Sequence, residues 1–199
     1  MSIAKYTYWY FQKQLDKEVC EKILSIGKNK LKNSGEKGKE KNGKVGRKSD
    51  ICWLNINEEK WIYDLVLPVI ITANTNAGWK YQFDYIEPIQ FTKYGVKQYY
   101  NWHCDQVGCH NSVNKTDNSS LNNKVRKLSV SINLSDSNDY NGGDLMLKQN
   151  GSNKNLTINE IKPQGSIVVF PSYVLHKVTP VTKGTRYSLV LWTSGQPFK

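Results

Sequence analysis

From Leu128 onward the chain alternates: Leu128, Val130, Ile132 and Leu134 are apolar, and Ser129, Ser131 and Asn133 between them are small and polar. A period of two puts the two sets on opposite faces of a strand. One face suits a core and the other the wall of a wet pocket. Tyr81, Phe83 and Tyr85 alternate in the same way, Pro88 breaks the run, and Ile89 to Tyr94 resumes it. Further strands are predicted at Tyr6 to Phe11, Tyr99 to Asp105, Leu145 to Leu147, Ser166 to Phe170, Lys177 to Val181 and Thr185 to Trp192, with a turn at Asn141-Gly142-Gly143.

The period changes in the first third of the chain. Val19, Ile23 and Ile26 recur at helical spacing within Asp16 to Ile26. A second helix follows Asn55 or Asn57, either of which can cap it. Its apolar face runs Trp61, Leu65, Val69 and Ala73, joined by Ile62, Val66 and Ile70. Pro68 falls inside this pattern and is expected to kink or split it. Helices first and about eight short strands afterwards predict an α+β domain. Its β half would be a sandwich or jelly roll with the helices packed on one sheet.

A length of 199 residues suits one domain over 1–199, and 38% hydrophobic with 23% charged residues is globular composition. No apolar run approaches a membrane span, and Met1 to Lys13 lacks the apolar core of a signal peptide, so a cytoplasmic protein is expected, with no membrane partner. The net charge of +11 suggests a nucleic-acid binder until its distribution is considered. Nine basic and two acidic residues lie between Lys28 and Lys48, with five glycines from Gly27 to Gly46. Most of the excess therefore sits in one segment, read as a solvated, mobile basic loop over 28–48. A second polar stretch, Gln106 to Asn123, is a candidate lid within 106–126. Cys20, Cys52, Cys104 and Cys109 include no CxxC pair, so free thiols are expected rather than a zinc site using His103 and His110.

The chemistry centres on Asn101-Trp102-His103-Cys104-Asp105. On a strand, His103 and Asp105 share a face and offer two ligands of a 2-His-1-carboxylate triad, which leaves three metal positions open. The third ligand has to come from elsewhere, and His176 ends a later β run. Arg186 follows ten residues on. If Val178 to Val181 and Thr185 to Trp192 form adjacent strands, the second returns Arg186 to the pocket. Its planar fork matches the far carboxylate of a metal-chelating dicarboxylate. Ser188 faces the same way and can add a hydrogen bond.

At this point the sequence resembles the prolyl 4-hydroxylase-like branch of the 2-oxoglutarate and iron(II)-dependent dioxygenases. The blocks that carry the resemblance are Arg47 to Leu54, Gln90 to Gly95, Tyr100 to Asp105, Arg126 to Ser129, Gly142 to Leu145, and Phe170-Pro171-Ser172 through His176 to Leu189. The resemblance implies a double-stranded β-helix, iron(II) held by His103, Asp105 and His176, and 2-oxoglutarate and dioxygen as cosubstrates, with ascorbate as an accessory. It implies that Arg186 binds the distal carboxylate and that Tyr94 lines the cosubstrate pocket. Asn133 stands where some relatives have a tyrosine donor, so Ser188 is expected to compensate. No catalytic residue beyond the metal ligands is implied. Tyr99, Tyr100, Trp102 and the 106–123 loop are candidates for substrate contact. The implied reaction is hydroxylation of an aliphatic C–H bond of a prolyl residue in a protein or peptide, or of a free amino acid. Two other functions fit the fold less well. Oxidative demethylation of alkylated nucleic acid is disfavoured because no second arginine follows Arg186 closely, and a non-catalytic jelly-roll module is disfavoured because no ligand is missing.

Overall fold

The computed structural model describes residues 6–34, 36–37, 46–106, 123–152 and 154–198. Two helices pack on one of two facing β-sheets. The larger sheet has eight strands. Its central run is Ile167–Pro171, Val125–Asn133, Arg186–Gly195, Ile89–Tyr94 and Asp50–Leu54, all antiparallel neighbours. The smaller has five strands, with Leu145–Lys148, His176–Val178 and Tyr99–His103 at its centre. This is the jelly roll anticipated from the strand pattern.

The alternation at 128–134 works as its periodicity predicts. Leu128, Val130, Ile132 and Leu134 are fully buried under the helices. In cross-strand register, Ser188 opposes Asn133, Val190 opposes Ser131 and Trp192 opposes Ser129. Because the pairs are two apart, they share the sheet face turned toward the smaller sheet. A second apolar cluster, including Leu147, Ile158, Phe170 and Val178, fills the space between the sheets.

Four local expectations need correction. The first helix spans Lys17–Ser34, well into the predicted basic loop, and short strands occupy Glu36–Lys37 and Arg47–Lys48. Lysine favours helix over coil, and Gly27 is tolerated because a Cβ there would overlap the Phe91 ring. The second helix, Ile56–Asn76, is capped by Asn55, whose side chain accepts from Glu58 N at 3.0 Å. Its irregularity lies at Glu59, not Pro68, and Leu65 faces solvent while Ile62, Val66, Val69, Ile70 and Ala73 are buried. Of the Tyr81–Tyr85 alternation only Tyr85–Ile86 is strand. Finally, Val181–Gly184 pairs with Tyr140–Gly142 and not with the Arg186 strand, which lies in the larger sheet. Gly142 and Gly143, with φ of 73° and 61°, supply the left-handed backbone where the chain passes from Tyr140–Gly142 to Leu145–Lys148. The predicted lid residues 107–122 lie outside the described residues.

Candidate metal centre

The Tyr99–His103 and His176–Val178 strands pair antiparallel, with His103 opposite His176. Cross-strand partners share a face, and the two imidazoles meet at a centroid distance of 4.1 Å. Asp105 lies just past the strand end. Its amide donates to the Ser172 carbonyl at 3.0 Å, which turns the chain so that the carboxylate still faces the histidines. One Asp105 oxygen is 3.6 Å from His103 Nε2 and the other 3.5 Å from His176 Nε2. One donor atom from each residue lies within 4.8 Å of the others.

Both rings are oriented from behind. His103 Nδ1 is 2.7 Å from the Asn101 carbonyl, and His176 Nδ1 is 2.9 Å from the Val174 carbonyl. A carbonyl only accepts, so each Nδ1 carries the proton and each Nε2 presents a lone pair inward. Burial holds the His176 imidazole below its usual pKa, so it stays neutral, as a metal ligand must be. Burial alone would raise the Asp105 carboxyl, but positive charge beside it, the Arg126 guanidinium included, outweighs burial and holds the group ionised. Two neutral nitrogens and one carboxylate oxygen fit a divalent first-row metal with open coordination positions.

Ser129 completes the arrangement. Its hydroxyl donates to Asp105 Oδ2 at 2.6 Å and lies 3.0 Å from the Ser172 hydroxyl. Such outer hydrogen bonds orient ligands, so Ser129→Ala is expected to weaken metal affinity by about 10- to 100-fold. Competition with a chelator of known affinity, on protein with an unchanged unfolding midpoint, measures this. Unaltered affinity would remove Ser129 from the metal-holding role.

A cavity of about 280 Å³ opens beside the triad and is lined by His103, Asp105, His176, Tyr94, Arg186 and Ser188 among others. All six predicted site residues therefore meet in one pocket. Arg186 is 3% exposed, stands opposite Tyr94 in register and reaches Ser188 Oγ at 3.4 Å. Burial pushes the Tyr94 phenol up although the Arg47 and Arg186 charges pull it down, so it remains a neutral donor. Asn133 turns its amide nitrogen to the Ser135 and Lys162 carbonyls at 3.0 and 2.7 Å, away from the donor role. Of the aromatic candidates Tyr100 lines the cavity, stacked on His103 with centroids 3.5 Å apart. Trp102 instead has the ammonium groups of Lys177 and Lys148 over its ring, at 5.0 and 5.4 Å from the centroid.

Several lining residues escaped sequence reasoning. Arg126 is clamped by Glu87, with Nε to Oε1 at 2.9 Å and Nη2 to Oε2 at 2.5 Å, and stacks 4.0 Å above Trp192. Arg47 sits over Tyr100. The available signal was the position of Arg126 at the head of an apolar strand and of Glu87 between Ile86 and Pro88, where charges are rare unless paired. The free-thiol expectation holds for Cys20 and Cys52, which are buried, but Cys104 is disulfide-bonded, and Cys109 lies outside the described residues. Spacing alone does not report whether two sulfurs meet.

Residues 89–194, which carry the triad, Tyr94 and Arg186, match the model of the 2OG-Fe(II) oxygenase superfamily. The chain belongs to that superfamily. Its members use iron(II), 2-oxoglutarate and dioxygen. A PKHD-type hydroxylase of Idiomarina loihiensis is 30% identical over 105 residues, covering 52% of this chain and 40% of that protein. One from Synechococcus sp. (strain CC9605) is 38% identical over 93 residues, covering 47% of this chain and 35% of that protein. The matches thus span well under half of those relatives. The fold is shared with a Pseudomonas putida prolyl-4-hydroxylase, at a TM-score of 0.69, 17% identity and coverage of 96% and 93% of the two chains. It is also shared with a Trichoplax adhaerens prolyl hydroxylase in complex with a hypoxia-inducible-factor peptide fragment, at 0.72, 20%, 95% and 84%. Among the described residues no helix of this superfamily member is long and apolar enough to cross a membrane.

Proposed function

We propose that this superfamily member hydroxylates an aliphatic C–H bond, in a prolyl residue of a peptide or protein, with iron(II) held by His103, Asp105 and His176. The observation that carries the reading is the convergence of two imidazoles, one carboxylate and the buried Arg186 guanidinium on a single cavity. When bound, iron(II) supplies dioxygen activation coupled to decarboxylation of 2-oxoglutarate to succinate and carbon dioxide.

The chain's own residues do the rest. His103, Asp105 and His176 would hold the metal, and three protein ligands would leave it coordination positions for cosubstrates. Arg186 anchors the distal carboxylate of 2-oxoglutarate, and the Tyr94 phenol and Ser188 hydroxyl are placed to donate to it. No carboxylate lies within ion-pair distance of Arg186 among the described residues, so an incoming dicarboxylate offsets a buried charge that the fold leaves unbalanced. The apolar lining, including Phe170, Val178 and Val190, excludes water around the reacting groups. No side chain has to transfer a proton to the target carbon. The protein's task is to hold that C–H bond beside the metal.

The test combines succinate release with mass spectrometry of prolyl peptides. Succinate formation should require both iron(II) and 2-oxoglutarate, and the peptide should gain one oxygen. Arg186→Met should raise the KM for 2-oxoglutarate by roughly 10- to 100-fold, the loss expected for a charge-assisted hydrogen bond, while leaving iron affinity intact. Absence of 2-oxoglutarate consumption by iron-loaded protein with every peptide would remove the proposal.

A further inference from the structure

Three guanidinium groups face the cavity, and they are not equivalent. Arg126 is neutralised within the protein by Glu87. Arg186 is assigned above to the cosubstrate. Arg47 remains. We propose that Arg47 is a second anion-recognition residue of this pocket and that the substrate presents a carboxylate to it. This rests on the oxygenase reading and narrows its substrate class.

Among the described residues, the groups that fix the position of Arg47 are neutral. Its strand pairs with the Tyr99–His103 strand, with Arg47 opposite Tyr100, and its guanidinium carbon lies 4.9 Å from the Tyr100 ring centroid. Tyr100 stacks in turn on His103, so one aromatic ring separates the cation from a metal ligand. Arg47 Nε donates to Ser49 Oγ at 2.7 Å and Nη1 to Gln90 Oε1 at 3.2 Å. Gln90 Nε2 is engaged by Thr92 Oγ1 at 2.8 Å, which keeps the amide oxygen toward the arginine. These contacts orient the fork without supplying a counter-charge. The remaining nitrogen, Nη2, is shielded from solvent and has no acceptor among the described residues. Among the described residues no carboxylate forms an ion pair with Arg47. An arginine held rigidly, desolvated at one nitrogen and lacking an anion is arranged to receive one.

The cosubstrate does not account for it. A 2-oxoglutarate dianion on iron(II) and Asp105 leaves one negative charge, which Arg186 offsets, so Arg47 stays uncompensated. Arg186 is in register with Tyr94, whereas Arg47 is tethered at Gln90, four residues back along the same strand and roughly 13 Å away at the backbone. A carboxylate matches the planar fork. It comes either from a free amino acid or from the C-terminal carboxyl of a peptide.

The experiment is calorimetric titration of the protein loaded with Mn(II) in place of iron and saturated with 2-oxoglutarate, without oxygen. The probes are L-proline against L-prolinamide, and Gly-Ala-Pro against its C-terminal amide. At least one acid should bind about 10- to 100-fold more tightly than its amide, and which pair discriminates identifies the source. Arg47→Gln should remove that preference by weakening the acid alone, and Arg47→Lys should restore part of it. Equal binding of acid and amide, binding of neither acid, or loss of 2-oxoglutarate affinity in Arg47→Gln overturns the proposal. Failure of the unaltered protein to bind Mn(II) and 2-oxoglutarate at all would instead overturn the oxygenase reading beneath it.

Discussion

His176→Ala is expected to lose iron binding and 2-oxoglutarate turnover together. The side chain is 6% exposed, its Nδ1 is tied to the Val174 carbonyl, and the Phe170 ring edge supports it at 4.8 Å. Nothing else among the described residues offers a nitrogen at that point. Alanine therefore leaves a two-ligand site and a small apolar void. Loss of an outer hydrogen bond already costs 10- to 100-fold in affinity, so loss of a ligand should cost more than about 100-fold. Metal content after desalting and succinate release measure the two effects. Turnover should fall to background, while circular dichroism stays unchanged. Full turnover with stoichiometric iron would show that the ligand set has been misassigned.

Glu87→Ala should produce the largest loss of stability. Glu87 is 5% exposed and accepts from Arg126 and from Ser194 Oγ at 2.8 Å. Removing it strands a guanidinium whose other support is the Trp192 face and the Asp105 carbonyl at 3.3 Å. Breaking a buried pair on one side costs about 3–5 kcal/mol. For a chain of this size, that corresponds to an unfolding midpoint lower by roughly 10 °C. Joint replacement with Arg126→Met should recover most of the loss, because the uncompensated charge goes with its partner. Urea unfolding of both variants decides the matter, and a single variant within about 1 kcal/mol of the parent would contradict the assignment.

How far the sequence discloses these features depends on the kind of signal each leaves. His103 and Asp105 are neighbours in the chain, and a period of two states their common face. Leu128 to Leu134 announce a strand in the same way. The match of His176 to His103 across two strands leaves no local trace, and it was reached through the family resemblance. The Arg186 strand was expected beside Val178 to Val181, yet it lies in the opposite sheet. Its side chain still arrives in the pocket because residues two apart keep one face wherever the strand is inserted. Glu87, Arg126 and Arg47 were missed for a related reason. Their meaning lies in partners 39 and 43 residues away, and spacing along the chain carries no record of pairing across the fold. The helix that extends to Ser34 shows the reverse: charge alone suggests coil, yet lysine-rich turns propagate a helix already docked by Cys20, Ile23 and Leu24.

The two halves of the candidate site belong to different sheets: His103 and His176 to the smaller, Tyr94, Ser188 and Arg186 to the larger. On the proposed reading, a cosubstrate gripped by metal at one end and by Arg186 at the other is a brace between opposing walls. Binding of the small molecule and resistance of the sandwich to prying apart then become a single mechanical property.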